Sequence, residues 1–153
     1  MNIAESIPDN YNVALKAFLR DGNKILICKD FTGTWDLPGG RIGVGEFYSD
    51  LNDVLAREIR EELGDLQYTN NGIVCLFRHK RPENAVKGNP ERRIFMIGFD
   101  LEFKSGLIQL SDEHTEYKWL APAEALDYFG TDNGQRSGIE KYIDFIKSKR
   151  VIY

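Results

Sequence analysis

The sequence predicts an α/β (α+β) layered fold, with strands interleaved with helices around one core. Three observations carry this expectation. Early runs alternate apolar and polar residues at the period of a strand. A capped amphipathic helix follows at about 50–63, and later strands give way to a helix over about 135–149. A length of 153 residues suits a single domain over 1–153, and 42% hydrophobic with 29% charged residues is ordinary for a globular chain.

The stretch YNVALKAFLRDGNKILICKD reads as two strands around an Asp21-Gly22-Asn23 turn, with Val13, Leu15, Ala17 and Leu19 alternating on one side and Ile25 and Ile27 on the partner. A glycine-rich loop, FTGTWDLPGGRIGVGE, follows. The next helix is expected from about Asp50 to Leu63. Asp50 is placed to cap it, Asp53 makes a rough capping box, and Gly64 suits a left-handed end. Leu55, Ile59 and Leu63 form its apolar stripe. A strand at about 72–79, a polar loop (RPENAVKGNPE), a strand over Arg92–Phe103 and a short one at Tyr117–Leu120 come next. A helix starts near Pro122, since proline fits a first helical turn. The last helix places Ile139, Tyr142, Ile143 and Ile146 at helical spacing. No internal repeat, low-complexity segment or interdomain linker interrupts the chain.

Composition narrows the function classes. No apolar run approaches the ~20 residues of a membrane helix, and the start, MNIAESIPDNYN, lacks the basic-then-apolar layout of a signal peptide. Cys28 and Cys75 lie in apolar runs without Cys-x-x-Cys spacing and read as reduced core residues, so the cytoplasm is the expected location. A net charge of −4 argues against nonspecific binding to nucleic acid. It leaves room for a small anionic substrate, provided metal ions or a basic patch offset the carboxylates.

Residues 57–64 read Arg-Glu-Ile-Arg-Glu-Glu-Leu-Gly. Glu58, Glu61 and Glu62 fall within a roughly 100° arc of one helical face. Like charges that close repel, and a divalent cation held by carboxylate oxygens is one reason to gather them. A solvated acidic face with intrahelical pairs such as Arg57–Glu61 is the other.

The loop and helix together run Gly40, five residues, Glu46, ten residues, Arg57-Glu58-Ile59, one residue, Glu61-Glu62, one residue, Gly64, preceded by Trp35-x-Leu37-Pro38-Gly39-Gly40. Over about 25 residues (40–64) this resembles the box of the Nudix hydrolase superfamily, the MutT-like proteins. It departs from the family pattern in two places: ten residues rather than seven separate Glu46 from Arg57, and Asp65 stands where a bulky apolar residue is usual. The wider gap leaves the direction of Glu46 open.

The resemblance implies a Nudix-type α/β/α sandwich with a mixed sheet between helices. It also implies a metal-dependent pyrophosphohydrolase that cuts a phosphoanhydride in a nucleoside triphosphate or a nucleoside diphosphate linked to another group. The cofactor would be Mg²⁺ or Mn²⁺. Glu58 and Glu62 would be ligands, with Glu61 as a ligand or as the residue orienting a bound water, and the Gly40 backbone would lie in the same metal set. Arg57 would lock a neighbouring glutamate by charge-assisted hydrogen bonds. A further carboxylate outside the box can serve as metal ligand or general base in such enzymes. Glu113, with Glu116 and His114 behind it, stands in a loop ahead of Trp119-Leu120 and suits that role. The partner would be a small nucleotide or nucleotide sugar, with no nucleic acid or membrane, and a homodimer is an open expectation.

Basic residues offer contacts for substrate phosphates: Arg41 directly after the glycine pair, Arg78 in the run Arg78-His79-Lys80-Arg81, then Lys87, Arg92 and Arg93. Phe31, Trp35, Phe47 and Tyr48 are candidates to stack on a base. Two other readings of the same box are a ligand-sensing domain without turnover and an isopentenyl diphosphate isomerase. The first is typical of chains that lose box glutamates, and the second needs a catalytic cysteine with no evident counterpart here.

Overall fold

A computed structural model describes residues 7–84 and 87–153. The opening segment Met1–Ser6 and the pair Ala85-Val86 of the polar loop, both read above from sequence, lie outside them. The order is β1 (Asn12–Asp21), β2 (Lys24–Asp30), β3 (Trp35–Asp36), β4 (Gly39–Arg41), α1 (Leu51–Leu63), β5 (Gln67–Arg81), β6 (Arg92–Ser105), β7 (His114–Leu120), α2 (Pro122–Ala125) and α3 (Gly134–Ser148). A 3-10 turn, Leu126–Tyr128, continues α2. The sheet runs β3-β2-β1-β6-β5, with β4 beside β1 and β7 beside β2. Strands β1 and β6 pair parallel while the pairs β1–β2, β1–β4 and β5–β6 are antiparallel, so the sheet is mixed as expected.

Both faces of the central strands are covered. Leu15, Ala17 and Leu19 of β1 and Leu26 and Cys28 of β2 pack with Val54, Leu55, Ile59 and Leu63 of α1. Ala14, Phe18, Ile25 and Ile27 pack on the opposite face with Ile139 and Tyr142 of α3. This corrects the one-sided reading of β1. The run Ala14–Leu19 is buried at every position, as expected of a strand with helices on both sides. Cys28 and Cys75 are free and buried, one in each core.

Helix α1 follows its sequence closely. The Asp50 side chain accepts from the Asn52 N–H at 2.8 Å, and Asp53 puts an acid in the first turn. Gly64 ends the helix with positive φ but with ψ of −167°, so it is extended rather than left-handed helical. Strand β5 starts earlier than predicted, since Gln67, Tyr68, Thr69 and Asn70 pair with β6 across an irregular register without any apolar alternation. Strands β3 and β4, two and three residues long, sit inside the glycine-rich segment read as loop.

Helix α3 is tied to the sheet by a buried polar knot. Asp100 of β6 accepts from the Tyr142 hydroxyl at 2.8 Å, from Arg20 Nε at 3.0 Å and from Asn71 Nδ2 at 2.8 Å. Burial alone would raise its carboxyl, but these donors together hold it below the usual aspartate range. A depressed folded-state value means the knot stabilises the protein fully above about pH 4 and loses that contribution as pH falls through it. Asp100→Ala should therefore cost about 2 kcal/mol at pH 7 in urea unfolding, with the gap to wild type closing below about pH 4.

Candidate active site

A cleft of about 1010 Å³ opens between α1, β4 and the end of the sheet face that carries Ala14, Lys16 and Met96. Glu58, Glu61 and Glu62 all line it, with Gly39, Gly40 and Arg41 of β4. The apolar stripe of α1 is in the core, which turns the adjoining acidic edge toward this space.

The glycine pair is fitted between β1 and α1. A side chain on Gly39, at φ 128°, would strike the backbone carbonyl of Leu15, while one on Gly40 would strike the Glu58 carboxylate. The Gly39 N–H donates to Glu62 Oε2 at 2.8 Å. Glu62 is 6% exposed, and burial pushes its carboxyl up to about 8 against the pull of Lys16 and this N–H. Glu58 is also raised, again mainly by burial, with Arg57 opposing. Glu61 is exposed.

Arg57 holds the outer carboxylates together. It grips Glu46 with two bonds of 2.9 and 2.6 Å, and lies 3.0 Å from both Glu58 and Glu61. The bonds to Glu46, with the nearby glutamates, raise the guanidinium pKa further above its ordinary value. As they stand, no three acidic, histidine or cysteine groups converge on one point among the described residues. The donor set nevertheless suits a hard divalent cation, being all carboxylate oxygen, with the Glu58 carboxylate lying where a Cβ at position 40 would stand.

Of the three base candidates, only Glu113 lines the cleft. Its backbone N–H donates to Ser111 Oγ at 3.3 Å and its carbonyl accepts from the Phe31 N–H, which fixes the loop while the carboxylate stays exposed. Glu116 faces Lys29 and Lys118 instead, and His114 is buried with Nδ1 unpaired among the described residues.

The basic candidates divide. Arg41 lines the cleft, as do His79, Lys80 and Arg81, but Arg78 does not. Arg93 is also outside it, paired with Asp9 and Glu91. None of the four candidate aromatics lines the cleft. Trp35 packs edge-on against Tyr128, while Phe47 and Tyr48 pack on each other in solvent.

Lys16 and Gln135 are functional candidates that the sequence reading missed. Lys16, 5% exposed, bonds to Asp36 Oδ1 at 2.9 Å and to the Leu37 carbonyl at 3.0 Å. Burial opposes its charge, but Asp36 and Glu62 outweigh burial and raise its pKa. A lysine inside the apolar run VALKAFL was the available signal. Gln135 at the start of α3 accepts from the Leu37 N–H at 2.9 Å, and nothing in its surroundings in sequence marks it.

A mixed sheet thus lies between helices, with helix carboxylates facing a glycine-rich strand across a cleft. The chain belongs to the NUDIX family, whose domain model matches residues 10–142. It is 32% identical over 100 residues to the nucleoside triphosphatase NudI of Salmonella newport, a match covering 64% of this chain and 69% of that protein. Its fold is similar to that of a MutT protein from Methanosarcina mazei (TM-score 0.72, 22% identity, 94% of this chain and 100% of that one). It is also similar to an ADP-ribose pyrophosphatase from Streptococcus suis (TM-score 0.64, 19% identity, 92% and 96%). The chain is thus a Nudix hydrolase, in a family whose members generally use divalent metal ions. No helix among the described residues is long and apolar enough to cross a membrane.

The two glycines should respond differently to substitution. Gly39→Ala drives a methyl into backbone and should cost roughly 3 kcal/mol in denaturant unfolding. Gly40→Ala meets only the end of a side chain, so its stability should stay within about 1 kcal/mol of wild type.

Proposed function

We propose that this cleft hydrolyses a phosphoanhydride bond of a nucleoside triphosphate, or of a nucleoside diphosphate linked to another group, with Mg²⁺ or Mn²⁺ as cofactor. The observation that carries this reading is the placing of Glu58 and Glu62 against the Gly39-Gly40 backbone, with Glu61 lining the same cleft. The name of the NudI relative favours a triphosphate among the substrates. Residues 1–153 would work as one domain.

Glu58 and Glu62 would hold the ion, with Glu61 completing the set or orienting water. The ion supplies neutralisation of phosphate charge and a lowered pKa for water. The chain's own residues prepare the place for it. Arg57 keeps Glu58 and Glu61 on one side of the cleft, and the Gly39 N–H keeps Glu62 turned inward. Glu113 at the rim would accept the proton of the attacking water. Arg41 would meet substrate phosphate beside the glycine pair.

A panel of nucleoside triphosphates and nucleoside diphosphate derivatives, screened with each metal, tests the reading. At least one member should release phosphate-containing products, and excess chelator should stop that release. Glu61→Gln and Glu62→Gln should each lower turnover by about 10²-fold or more with near-native circular dichroism. Full activity in both variants would remove the metal assignment. Tight binding of one nucleotide with no turnover under either metal would favour ligand sensing instead.

A further inference from the structure

Beside the cleft lies a second concavity of about 430 Å³, lined by Asn10, Tyr11, Asn12, Glu91, Arg92 and Arg93 and sharing Arg41 and Asn12 with the first. Strand register explains which side chains meet there. Arg41 pairs with Ala14 of β1, and Ala14 pairs with Met96 of β6. Paired residues share a face, as do residues two apart along a strand. Arg41, Asn12, Ile94 and Arg92 therefore lie on the face that carries Ala14 and Met96, and Arg81 joins them as the partner of Arg92 on β5.

Three arginines from three strands thus converge at one end of one sheet face. Like charges directly opposite on neighbouring strands, as Arg81 and Arg92 are, weaken a sheet. Their carboxylate partners are few. Arg81 has Asp30 at 3.6 Å, whereas Arg41 and Arg92 pair with no carboxylate among the described residues. Glu91, the nearest acid in sequence, is engaged by Lys80 and Arg93. Arg41 lines both concavities, with Arg81 in the first and Arg92 in the second.

We propose that Arg41, Arg81 and Arg92 form an anion subsite that takes a phosphate-bearing group of the substrate beyond the bond that is cut. The substrate then extends from the acidic edge of α1, past Arg41, toward the second concavity. Substrates with a charged far end are favoured over those ending in a neutral sugar. The proposal rests on the hydrolytic reading of the cleft, but the anion contact can be measured without turnover.

Inorganic pyrophosphate titrated calorimetrically into the metal-free full chain is the first measurement. Arg92→Gln should weaken binding about tenfold, as expected for loss of one charge-assisted contact. Arg92→Lys should retain most of the affinity. Arg78→Gln, which removes the same charge outside both concavities, should bind like wild type. No binding to wild type, equal affinity of Arg92→Gln and wild type, or equal weakening in Arg78→Gln would each overturn the subsite. The second measurement is the ratio of kcat/KM for a nucleoside triphosphate to that for a nucleoside diphosphate carrying a neutral sugar. Arg92→Gln should lower that ratio about tenfold, through KM. An unchanged ratio with weakened pyrophosphate binding would mean that the site takes a free anion, and would overturn its role in substrate choice. Pyrophosphate binding lost in Arg92→Gln, in a protein that cleaves no nucleotide, would count against the hydrolytic reading alone.

Discussion

The hydrogen bond from the Gly39 N–H to the Glu62 carboxylate is the contact on which the rest of the cleft depends. It joins the acidic helix to a three-residue strand that, among the described residues, otherwise pairs only with β1. For the bond to form, Gly39 must press against the Leu15 carbonyl, and only glycine permits that approach. The approach in turn lets β4 pair with β1 and brings the Gly40 backbone under Glu58. The segment leading into β4 is held from two other sides. Lys16 binds Asp36 and the Leu37 carbonyl, and Gln135 accepts from the Leu37 N–H. Both layers of helices therefore act on the same few residues, one through Glu62 and the other through Gln135.

Charge balance explains why so acidic a helix face folds at all. A buried carboxylate without a partner would cost several kcal/mol. Here each glutamate of the arc has a cation within its field: Lys16 beneath Glu62, and Arg57 beside Glu58 and Glu61. The balance is incomplete, since Glu62 and Glu58 are both held above the usual carboxylate range by burial. A site in that condition gains from further positive charge. At the far rim the surplus has the opposite sign, in Arg41 and Arg92. Under the proposed function, a polyphosphate with its cation would complement both ends together.

What was legible in the sequence follows the range of the signal. Helix α1, its Asp50 cap and its acidic edge come from periodicity and spacing within one turn or two, and they stand where the sequence put them. The basic residues were harder. Arg78 and Arg93 look equivalent to Arg81 and Arg92 in the chain, yet only the latter pair lies on the cleft face. That choice depends on β5–β6 register, which shifts at Asn70, Ile73 and Cys75 and cannot be read from alternation. Lys16 was hidden for a related reason. Its partners, Asp36 and Leu37, are 20 and 21 residues away, and only the fold brings them to it.

The ten-residue gap between Glu46 and Arg57 shows how a departure from a family pattern can be absorbed without loss of a contact. Tight turns take up the extra length before Asp50 caps the helix: the Glu46 N–H donates to the Gly43 carbonyl at 3.1 Å and the Ser49 N–H to the Glu46 carbonyl at 3.0 Å. Glu46 Oε1 also accepts from the Gly43 N–H at 2.8 Å, which aims its carboxylate back at Arg57. The excess residues leave on the solvent side, where Val44, Phe47 and Tyr48 are exposed. A surface loop lengthens at little entropic cost, whereas the bidentate Glu46–Arg57 pair has a narrow geometry. The loop therefore yields and the pair does not, so Glu46 keeps its hold on the arginine that arranges Glu58 and Glu61.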